Sequence, residues 1–233
     1  MVADAGNTPK QDSPLSSPVR RAALVVKRGA DIIIAVVGLL LAGPLTLVLA
    51  WLVRRDSPGP GVFVQRRLGR GGRPFNMYKL RTMVVNAQQM GARTGIEVGD
   101  PRVTRMGRWL RSTSLDELPQ LWNILLGQMS LVGPRPLLPE HLPLWDEEQR
   151  ERLLMPQGMI CWVDVVGRNE IEWPRRLSLD TWYVRNWSLW LDVRTVVGVI
   201  WPVLTRRGIT ASDGTVPELT AETLRTDDEP ADR

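Results

Sequence analysis

Two adjacent carboxylates, Asp116 and Glu117, lie between a run of arginines and a Gly-Pro-Arg-Pro turn that contains Arg135. Neighbouring carboxylates and phosphate oxygens together form a hard oxygen site of the kind that Mg²⁺ prefers. A metal there neutralises phosphate charge and lets an anionic nucleophile approach phosphorus. Arg111 and Arg135 flank the pair, and arginine can hold phosphate oxygens through two parallel hydrogen bonds. The spacing therefore indicates phosphate chemistry at a site with Mg²⁺ as its cofactor.

The same residues also fit a structural role, a helix capping box. In that role Ser114 caps a helix and Glu117 reaches back from the third helical position. Pro119 disfavours this, because it would forfeit a hydrogen bond inside the helix, so the helix is expected to begin nearer Leu118. Capping and catalysis are compatible, since a helix N-terminus attracts phosphate and lowers the pKa of a carboxylate such as Asp116.

The basic residues are unevenly distributed along a chain of 233 residues that is 43% hydrophobic and carries a formal charge of +5. Twelve arginines and one lysine lie in the region 54–111. Such a region suits an anionic partner: a phosphorylated metabolite, a lipid head group or a nucleic acid. We expect no nucleic-acid partner, because the chain contains no recognisable nucleic-acid-binding module.

Other reaction and site classes are disfavoured by the residue inventory. A single cysteine, Cys161, excludes an internal disulfide, and with the single histidine, His141, it disfavours a His/Cys zinc site. Glycoside hydrolysis needs two carboxyl groups about 5–9 Å apart across a sugar, which sequence neighbours do not naturally provide.

An uncharged apolar run of 22 residues extends from Ile32 to Val53, long enough to span a bilayer. Gly43-Pro44 lies at its midpoint, where proline removes a backbone hydrogen bond. Basic pairs flank both ends, Lys27-Arg28 and Arg54-Arg55, which favours keeping both ends on the cytoplasmic side. A re-entrant helix that breaks at Gly43-Pro44 is the preferred interpretation, and a spanning helix is its main alternative.

The chain divides into four predicted segments. These are a disordered tail (1–20), a membrane re-entrant helix (21–55), a catalytic domain (56–210) and a disordered acidic tail (211–233). The predicted fold class is α+β and mostly helical, with a compact cytoplasmic domain. Leu177–Gly208 contains four tryptophans among aliphatic residues, which fits either interfacial amphipathic helices or core helices with inward-facing tryptophans.

Several sequence blocks in order resemble the bacterial sugar transferases that act on polyprenyl phosphate, the monotopic phosphoglycosyl transferases. The resemblance covers residues 27–208 and is carried by these blocks: KRGADIIIA with its Pro-interrupted apolar run, FNMYKLRTM, DPRVTRMGRWLRSTSLDELPQLWNILLGQMSLVGPRPL, GRNEIEW and LDTWYVRNWSLWLD. The block SLDELPQLWN…MSLVGPRP is highly specific. We expect the small, catalytic-core form of the family.

The resemblance implies transfer of a sugar-1-phosphate from a nucleoside diphosphate sugar, usually UDP-linked, to undecaprenyl phosphate, with release of UMP. It implies that Asp116 attacks the phosphate and forms a covalent intermediate, that Glu117 helps Asp116 to hold Mg²⁺, and that Arg111 contacts the phosphate of the lipid acceptor. The remaining candidate substrate-binding residues are Lys79, Arg81, Arg135, Arg168 and Asn169.

A protein of this kind is expected at the cytoplasmic face of the bacterial inner membrane, where it would initiate exopolysaccharide, capsule, O-antigen or glycoprotein glycan assembly. Its expected partners are undecaprenyl phosphate, a nucleotide sugar and the membrane, and downstream glycosyltransferases are further candidates. The sequence leaves the sugar, the glycan pathway and the oligomeric state open.

One block departs from the pattern RPGITG(L/W)AQVNGRN of the family it resembles, since residues 156–169 read PQGMICWVDVVGRN. The departures are Pro156, Cys161, Asp164 and Val166. Exchanging amides for an acid and an aliphatic group changes the available hydrogen bonds. The change predicts altered sugar preference or reduced activity, and it motivates an alternative function, a non-catalytic membrane-surface scaffold of the same fold.

Overall fold

The computed structural model describes residues 17–90, 96–97, 99–205, 215–216 and 218–224. The α-helices are α1 (Pro18–Asp56), α2 (Arg105–Thr113), α3 (Gln120–Leu125), α4 (Glu147–Arg150), α5 (Trp162–Val166), α6 (Trp173–Asn186) and α7 (Leu189–Leu204). The strands are β1 (Val62–Leu68), β2 (Pro74–Leu80), β3 (Ile96–Glu97), β4 (Met129–Val132), β5 (Gln157–Ile160) and β6 (Thr215–Val216). Short 3-10 turns span Arg70–Gly72, Ala87–Gln89, Leu115–Glu117, Pro139–Leu144, Glu151–Leu154 and Arg168–Glu170.

The described strands form three two-stranded sheets. β1 and β2 are an antiparallel hairpin that pairs Val62 with Leu80, β4 and β5 are parallel, and β3 pairs with β6. Sheets this small cannot enclose a core, so the helices supply most of the buried apolar surface. The predicted fold class, α+β and mostly helical, is confirmed.

α1 is one helix of 39 residues that continues through Pro44. Ser17 caps its start by accepting a hydrogen bond from the Arg20 amide, and Pro18 occupies the first turn, where a missing N–H costs little. The structure therefore differs from the expected break at Gly43-Pro44. α1 remains helical there, although Pro44 has no backbone N–H to donate. At 1.5 Å per residue the helix is roughly 58 Å long.

One stripe of α1 packs against the rest of the protein along nearly its whole length. Its buried residues are Lys27, Asp31, Ala35, Leu49 and Val53, which recur at helical spacing. The opposite face is apolar and exposed, with Leu40 73% and Leu41 77% accessible. Among the described residues α1 is the one helix long and apolar enough to cross a membrane. An uncovered apolar face of this size marks an interaction surface.

The tryptophans of the two C-terminal helices divide between core and surface. Trp187 is buried in a cluster with Tyr183, Val184 and Leu191, whereas Trp190 and Trp201 are 73% and 65% exposed. The core interpretation therefore applies to Trp187, and the exposed positions of Trp190 and Trp201 are compatible with an interfacial helix. The difference arises because α7 packs one face on the domain and leaves the other uncovered.

The last described segment packs against the domain, unlike the disordered tail expected over residues 211–233. Residues 215–216 form a strand, and Leu219 is buried with Trp145, Trp173 and Leu177. The buried Leu219 contributes about 1.5–3 kcal/mol to holding this segment against the domain. The expected tail at residues 1–20 and the remainder of 211–233 lie largely outside the described residues.

Buried charges join the N-terminal half of α1 to the domain. The Lys27 ammonium donates to Asp192 Oδ2 at 2.6 Å and to the Val132 carbonyl at 2.8 Å. Asp192 also accepts from Tyr183 and Trp187. One turn further along α1, Asp31 accepts from the Leu131 amide at 2.9 Å.

Lys27→Met should destabilise the protein by about 3–5 kcal/mol, because it leaves the Asp192 carboxylate without its buried counter-ion. The measurement is the midpoint of chemical unfolding in detergent. Arg54→Met is the matched control, since Arg54 is an exposed cation on the same helix. Equal midpoints for both variants would contradict this role for Lys27.

Candidate active site

The β1–β2 hairpin delivers Lys79 to the acid pair. The Lys79 ammonium donates to Glu117 Oε1 at 2.6 Å, and both side chains remain 21% accessible. Asn123 of α3 locks the hairpin in place, because its amide bonds both the Tyr78 N–H and the Asn76 carbonyl. The structure thus brings together two predicted site residues that are 38 positions apart in the sequence.

The acid pair occupies a 3-10 turn between α2 and α3, and the predicted capping box is not formed. Ser114 adopts a left-handed conformation with φ 57° and ends α2, and its side chain makes no capping bond. α3 begins at Gln120, directly after Pro119, as the position of the proline led us to expect. The two acids therefore do not lie in the first turn of an α-helix.

Asp116 is 9% exposed, whereas the carboxylate of Glu117 reaches the cavity described below. Burial raises the pKa of Asp116 above its usual value, while Lys79 and Arg111 act in the opposite direction. The expectation that a helix end lowers this pKa is wrong, because no α-helix begins at Asp116 and desolvation dominates. The two cations favour the ionised form of Asp116 and so offset part of the effect of its burial.

Arg111 lies on the Asp116 side of the turn. Its Nε donates to Thr82 Oγ1 at 2.8 Å, which fixes the guanidinium beside the end of β2. α2 approaches this strand closely because Gly107 has no side chain: a Cβ there would lie 1.9 Å from the Thr82 carbonyl oxygen. Burial lowers the pKa of Arg111 and Asp116 raises it, so the two groups interact electrostatically.

A cavity opens on the Glu117 side of the turn. It is lined by Arg67, Met77, Lys79, Glu117, Gln120, Arg135, Pro136, Gly158 and Met159. The turn that carries Arg135 follows β4, and the parallel β4–β5 pair brings it against Gly158, whose N–H donates to the Pro134 carbonyl at 2.8 Å. Three cations and one carboxylate at one cavity give it an anion-binding character.

Arg67 was not among the sequence-predicted site residues. It donates to Gln65 and to the Pro136 carbonyl, and burial together with Arg135 lowers its pKa to about 10. Alternation along β1 places Arg67 and the exposed Arg66 on opposite faces. A strand predicted over the whole of Val62–Leu68 would have separated Arg67 from Arg66, which is the sequence signal that could have identified Arg67.

Arg81 lies away from the cavity, unlike its predicted partner Lys79. Its guanidinium donates to the carbonyls of Ser57, Pro58 and Pro60 at 2.7–2.9 Å, in the loop after α1. The side chain is 5% exposed. Arg81 therefore holds the loop after α1 through three hydrogen bonds to backbone carbonyls, which is a structural role.

The GRNEIEW block lies beyond the cavity lining. Asn169 accepts from Arg176 through its side chain and its carbonyl. Burial lowers the pKa of Arg176 to about 10, with Arg135 contributing. The side chain of Arg168 lies outside the described residues, so its predicted role stays a prediction.

The altered block supplies Asp164, which is oriented toward Arg135. Asp164 Oδ2 accepts from the Cys161 amide at 3.0 Å and so caps α5, while Oδ1 lies 3.9 Å from Arg135 Nη1. Cys161 is buried, and burial with the nearby Asp164 raises the pKa of its thiol. Asp164 thus places a carboxylate at the edge of the cavity beside a candidate phosphate ligand.

The acid pair fits a divalent cation only together with substrate oxygens. No group of three or more His, Cys, Asp or Glu side chains among the described residues could hold a metal alone. Mg²⁺ characteristically takes one or two carboxylates and completes its shell with phosphates and water. Glu117 would be the accessible ligand, with Asp116 beside it.

Comparison with known proteins finds similarity to sugar transferases along most of the chain. A model described as bacterial sugar transferase matches residues 22–206. The chain is 39% identical over 203 residues to the undecaprenyl-phosphate galactose phosphotransferase of Salmonella typhimurium, covering 81% of this chain and 42% of that protein. It is 41% identical over 192 residues to the UDP-N-acetylgalactosamine-undecaprenyl-phosphate N-acetylgalactosaminephosphotransferase of Aeromonas hydrophila, covering 78% and 44%.

A shorter relative matches along most of its length. The uncharacterized sugar transferase EpsL of Bacillus subtilis is 40% identical over 186 residues, covering 80% of this chain and 91% of EpsL. The chain therefore spans less than half of the two longer relatives and nearly all of this one.

Arg81→Gln should destabilise the protein by about 2–4 kcal/mol, because buried carbonyls at the end of α1 lose charged donors. Thermal unfolding measures the loss, and Arg66→Gln provides the control because Arg66 is exposed on the neighbouring strand. An Arg81→Gln protein with unchanged melting temperature but lost turnover would instead place Arg81 among the substrate ligands.

Proposed function

The chain belongs to the bacterial sugar transferase family, and we propose that it transfers a sugar-1-phosphate from a UDP-sugar to undecaprenyl phosphate with release of UMP. The observation that carries the proposal is the arrangement around the acid pair. Glu117 faces a cavity with Lys79, Arg67 and Arg135, and the neighbouring Asp116 interacts electrostatically with both Lys79 and Arg111. Such a site suits a diphosphate donor on one side and a nucleophilic carboxylate within reach of it.

In the first step an Asp116 oxygen attacks the phosphorus that bears the sugar. A bond forms between this oxygen and phosphorus, and the bond from phosphorus to the bridging oxygen breaks, so that UMP leaves with that oxygen. Lys79 and Arg135 stabilise the negative charge on the phosphate oxygens during this step. Lys79 also lowers the pKa of Asp116, against the effect of its burial, and so favours the ionised carboxylate.

In the second step a phosphate oxygen of undecaprenyl phosphate attacks the same phosphorus. The bond to Asp116 breaks, which regenerates the carboxylate and leaves the sugar joined to the lipid through a diphosphate. The acceptor is already anionic, so no general base is needed. Arg111, held by Thr82 on the Asp116 side of the turn, is placed to bind this incoming phosphate.

Glu117, with Asp116 beside it, would hold Mg²⁺, which supplies charge neutralisation at the diphosphate when bound. The Lys79 ammonium provides positive charge beside Glu117 and would contact the phosphate oxygens of a bound donor.

The function is tested by incubating purified protein with Mg²⁺, undecaprenyl phosphate and a panel of UDP-sugars, and by measuring UMP. At least one donor should release UMP, chelation of the metal should stop release, and Asp116→Asn should lower it by about 10⁴-fold or more, because the nucleophile is lost. Thr113→Ser, at the half-buried end of α2, is the control variant, because serine keeps the hydroxyl that donates to Trp109.

No release with any donor from a folded protein would favour the scaffold alternative. Full turnover by Asp116→Asn would exclude Asp116 as the nucleophile.

We further propose that α1 inserts its exposed apolar face into the cytoplasmic leaflet of the inner membrane while both of its ends stay in the cytoplasm. Lys27 near one end contacts Val132 and Asp192, while Leu49 and Val53 near the other pack on the domain. A spanning helix would carry these two ends to opposite sides of a hydrocarbon core about 30 Å thick. Both sets of contacts can persist only if α1 does not span.

Single cysteines at Val19, Leu41 and Arg66 test this topology, since these side chains are exposed and the native Cys161 is buried. A membrane-impermeant maleimide should label Val19→Cys and Arg66→Cys in inverted vesicles and neither in intact cells. Leu41→Cys should stay protected by lipid in both. Labelling of Val19→Cys and Arg66→Cys from opposite sides would establish a spanning helix.

A further inference from the structure

A fully buried ion pair lies behind the cavity and has no part in the steps above. Arg152 of the 3-10 turn Glu151–Leu154 is 0% exposed, and Asp180 of α6 is 2% exposed. Their side chains form a short ion pair through Arg152 Nη2 and Asp180 Oδ2. Burying two charges costs several kcal/mol each, and an apolar pair of similar volume is often equally stable. Stability alone therefore does not explain this pair.

The pair faces the backbone of Arg135. Arg152 Nη2, the atom bonded to Asp180, also donates to the Arg135 carbonyl at 2.6 Å. Burial raises the pKa of Asp180, while Arg152 and the backbone N–H of Arg135 lower it. The guanidinium lies 5.0 Å from the centre of the Trp145 ring, which restricts its plane.

The side chain of Arg135 depends on its backbone for its position. It lines the cavity with 47% of its side-chain surface accessible, and no hydrogen bond among the described residues holds its guanidinium. The nearest carboxylate, Asp164, is 3.9 Å away, beyond hydrogen-bonding distance. Both neighbours of Arg135 are prolines with restricted φ, so the backbone at Arg135 sets the position of its Cβ and with it the range of directions that its side chain can take.

We propose that Arg152 and Asp180 are positioning residues that fix the backbone of Arg135 and thereby aim its guanidinium at the diphosphate of the donor. The inference rests on the proposed function, because it takes the cavity to be the donor site. A positioning role predicts weaker donor binding in a folded variant that lacks the pair. A structural role alone predicts an effect on unfolding and none on binding once the protein is folded.

The test replaces both charges at once, with Arg152→Met/Asp180→Leu, so that no unpaired charge remains buried. Binding of UDP is measured by calorimetry in detergent with Mg²⁺, and amide hydrogen exchange is measured at Arg135. We expect faster exchange at Arg135 and about tenfold weaker UDP binding, the size of one misplaced charge-assisted hydrogen bond. Arg135→Gln should weaken binding similarly, and adding it to the double variant should cause little further loss, since both act through one side chain.

The matched control is Arg185→Met. Arg185 also joins α6 to the segment that carries Arg152, through Glu148 and Glu151, but on the surface. It should leave both measurements unchanged. If the double variant does not fold, Arg152→Lys provides the same comparison, because one ammonium can pair with Asp180 without reaching the Arg135 carbonyl in the same geometry.

The outcomes separate the two proposals. Unchanged exchange at Arg135, UDP affinity within twofold of wild type, or fully additive losses would each overturn the positioning role. A folded wild-type protein that does not bind UDP would instead overturn the proposed donor, while amide exchange at Arg135 would still decide whether the pair fixes this backbone.

Discussion

Desolvated cations bonded to backbone carbonyls determine how this protein is assembled. Lys27 donates to Val132, Arg28 to Ile124 and Leu125, Arg81 to the loop after α1, and Arg152 to Arg135. Each bond joins segments that are distant in sequence. A cation without such partners would be too costly to bury, so each of these contacts holds its two segments in one register.

The same contacts link the membrane-facing helix to the candidate active site. Lys27 bonds the last residue of β4, and the Gly-Pro-Arg-Pro turn begins at the next position. Arg81 anchors the other end of α1 from the residue that follows β2, the strand that carries Lys79. α1 is therefore bonded to both segments that carry cations into the cavity. For the proposed reaction with a lipid phosphate this arrangement is favourable, because it fixes the depth of the candidate site relative to the apolar face of α1.

The sequence predicted the composition of the site better than its local geometry. Asp116, Glu117, Lys79 and Arg135 converge because a hairpin and a parallel strand pair bring their segments together, and the motif pattern carries that information. The pattern could not show that Lys79 and Arg81, two residues apart, have different environments. β2 ends between them at Leu80, and the free carbonyls at the end of α1 capture Arg81. The capping role that the sequence allowed for Ser114 is not formed, because this residue adopts a left-handed conformation and ends α2. The spacing of residues does not reveal that conformation.

The arginines of residues 54–111 show likewise that composition does not reveal the environment of each side chain. Composition suggested an anion-binding surface, yet within the part of the chain that the structure describes at least six of these arginines donate to groups of the protein itself. These are Arg67, Arg70, Arg81, Arg102, Arg108 and Arg111. Arg67 and Arg111 are both held by internal bonds beside the acid pair, Arg67 to Gln65 and Pro136 and Arg111 to Thr82. A guanidinium fixed in this way has lost its side-chain freedom before the ligand arrives, so binding a phosphate costs it little further entropy. Arg135, in contrast, has no such bond among the described residues, and its orientation depends on the buried ion pair beneath it.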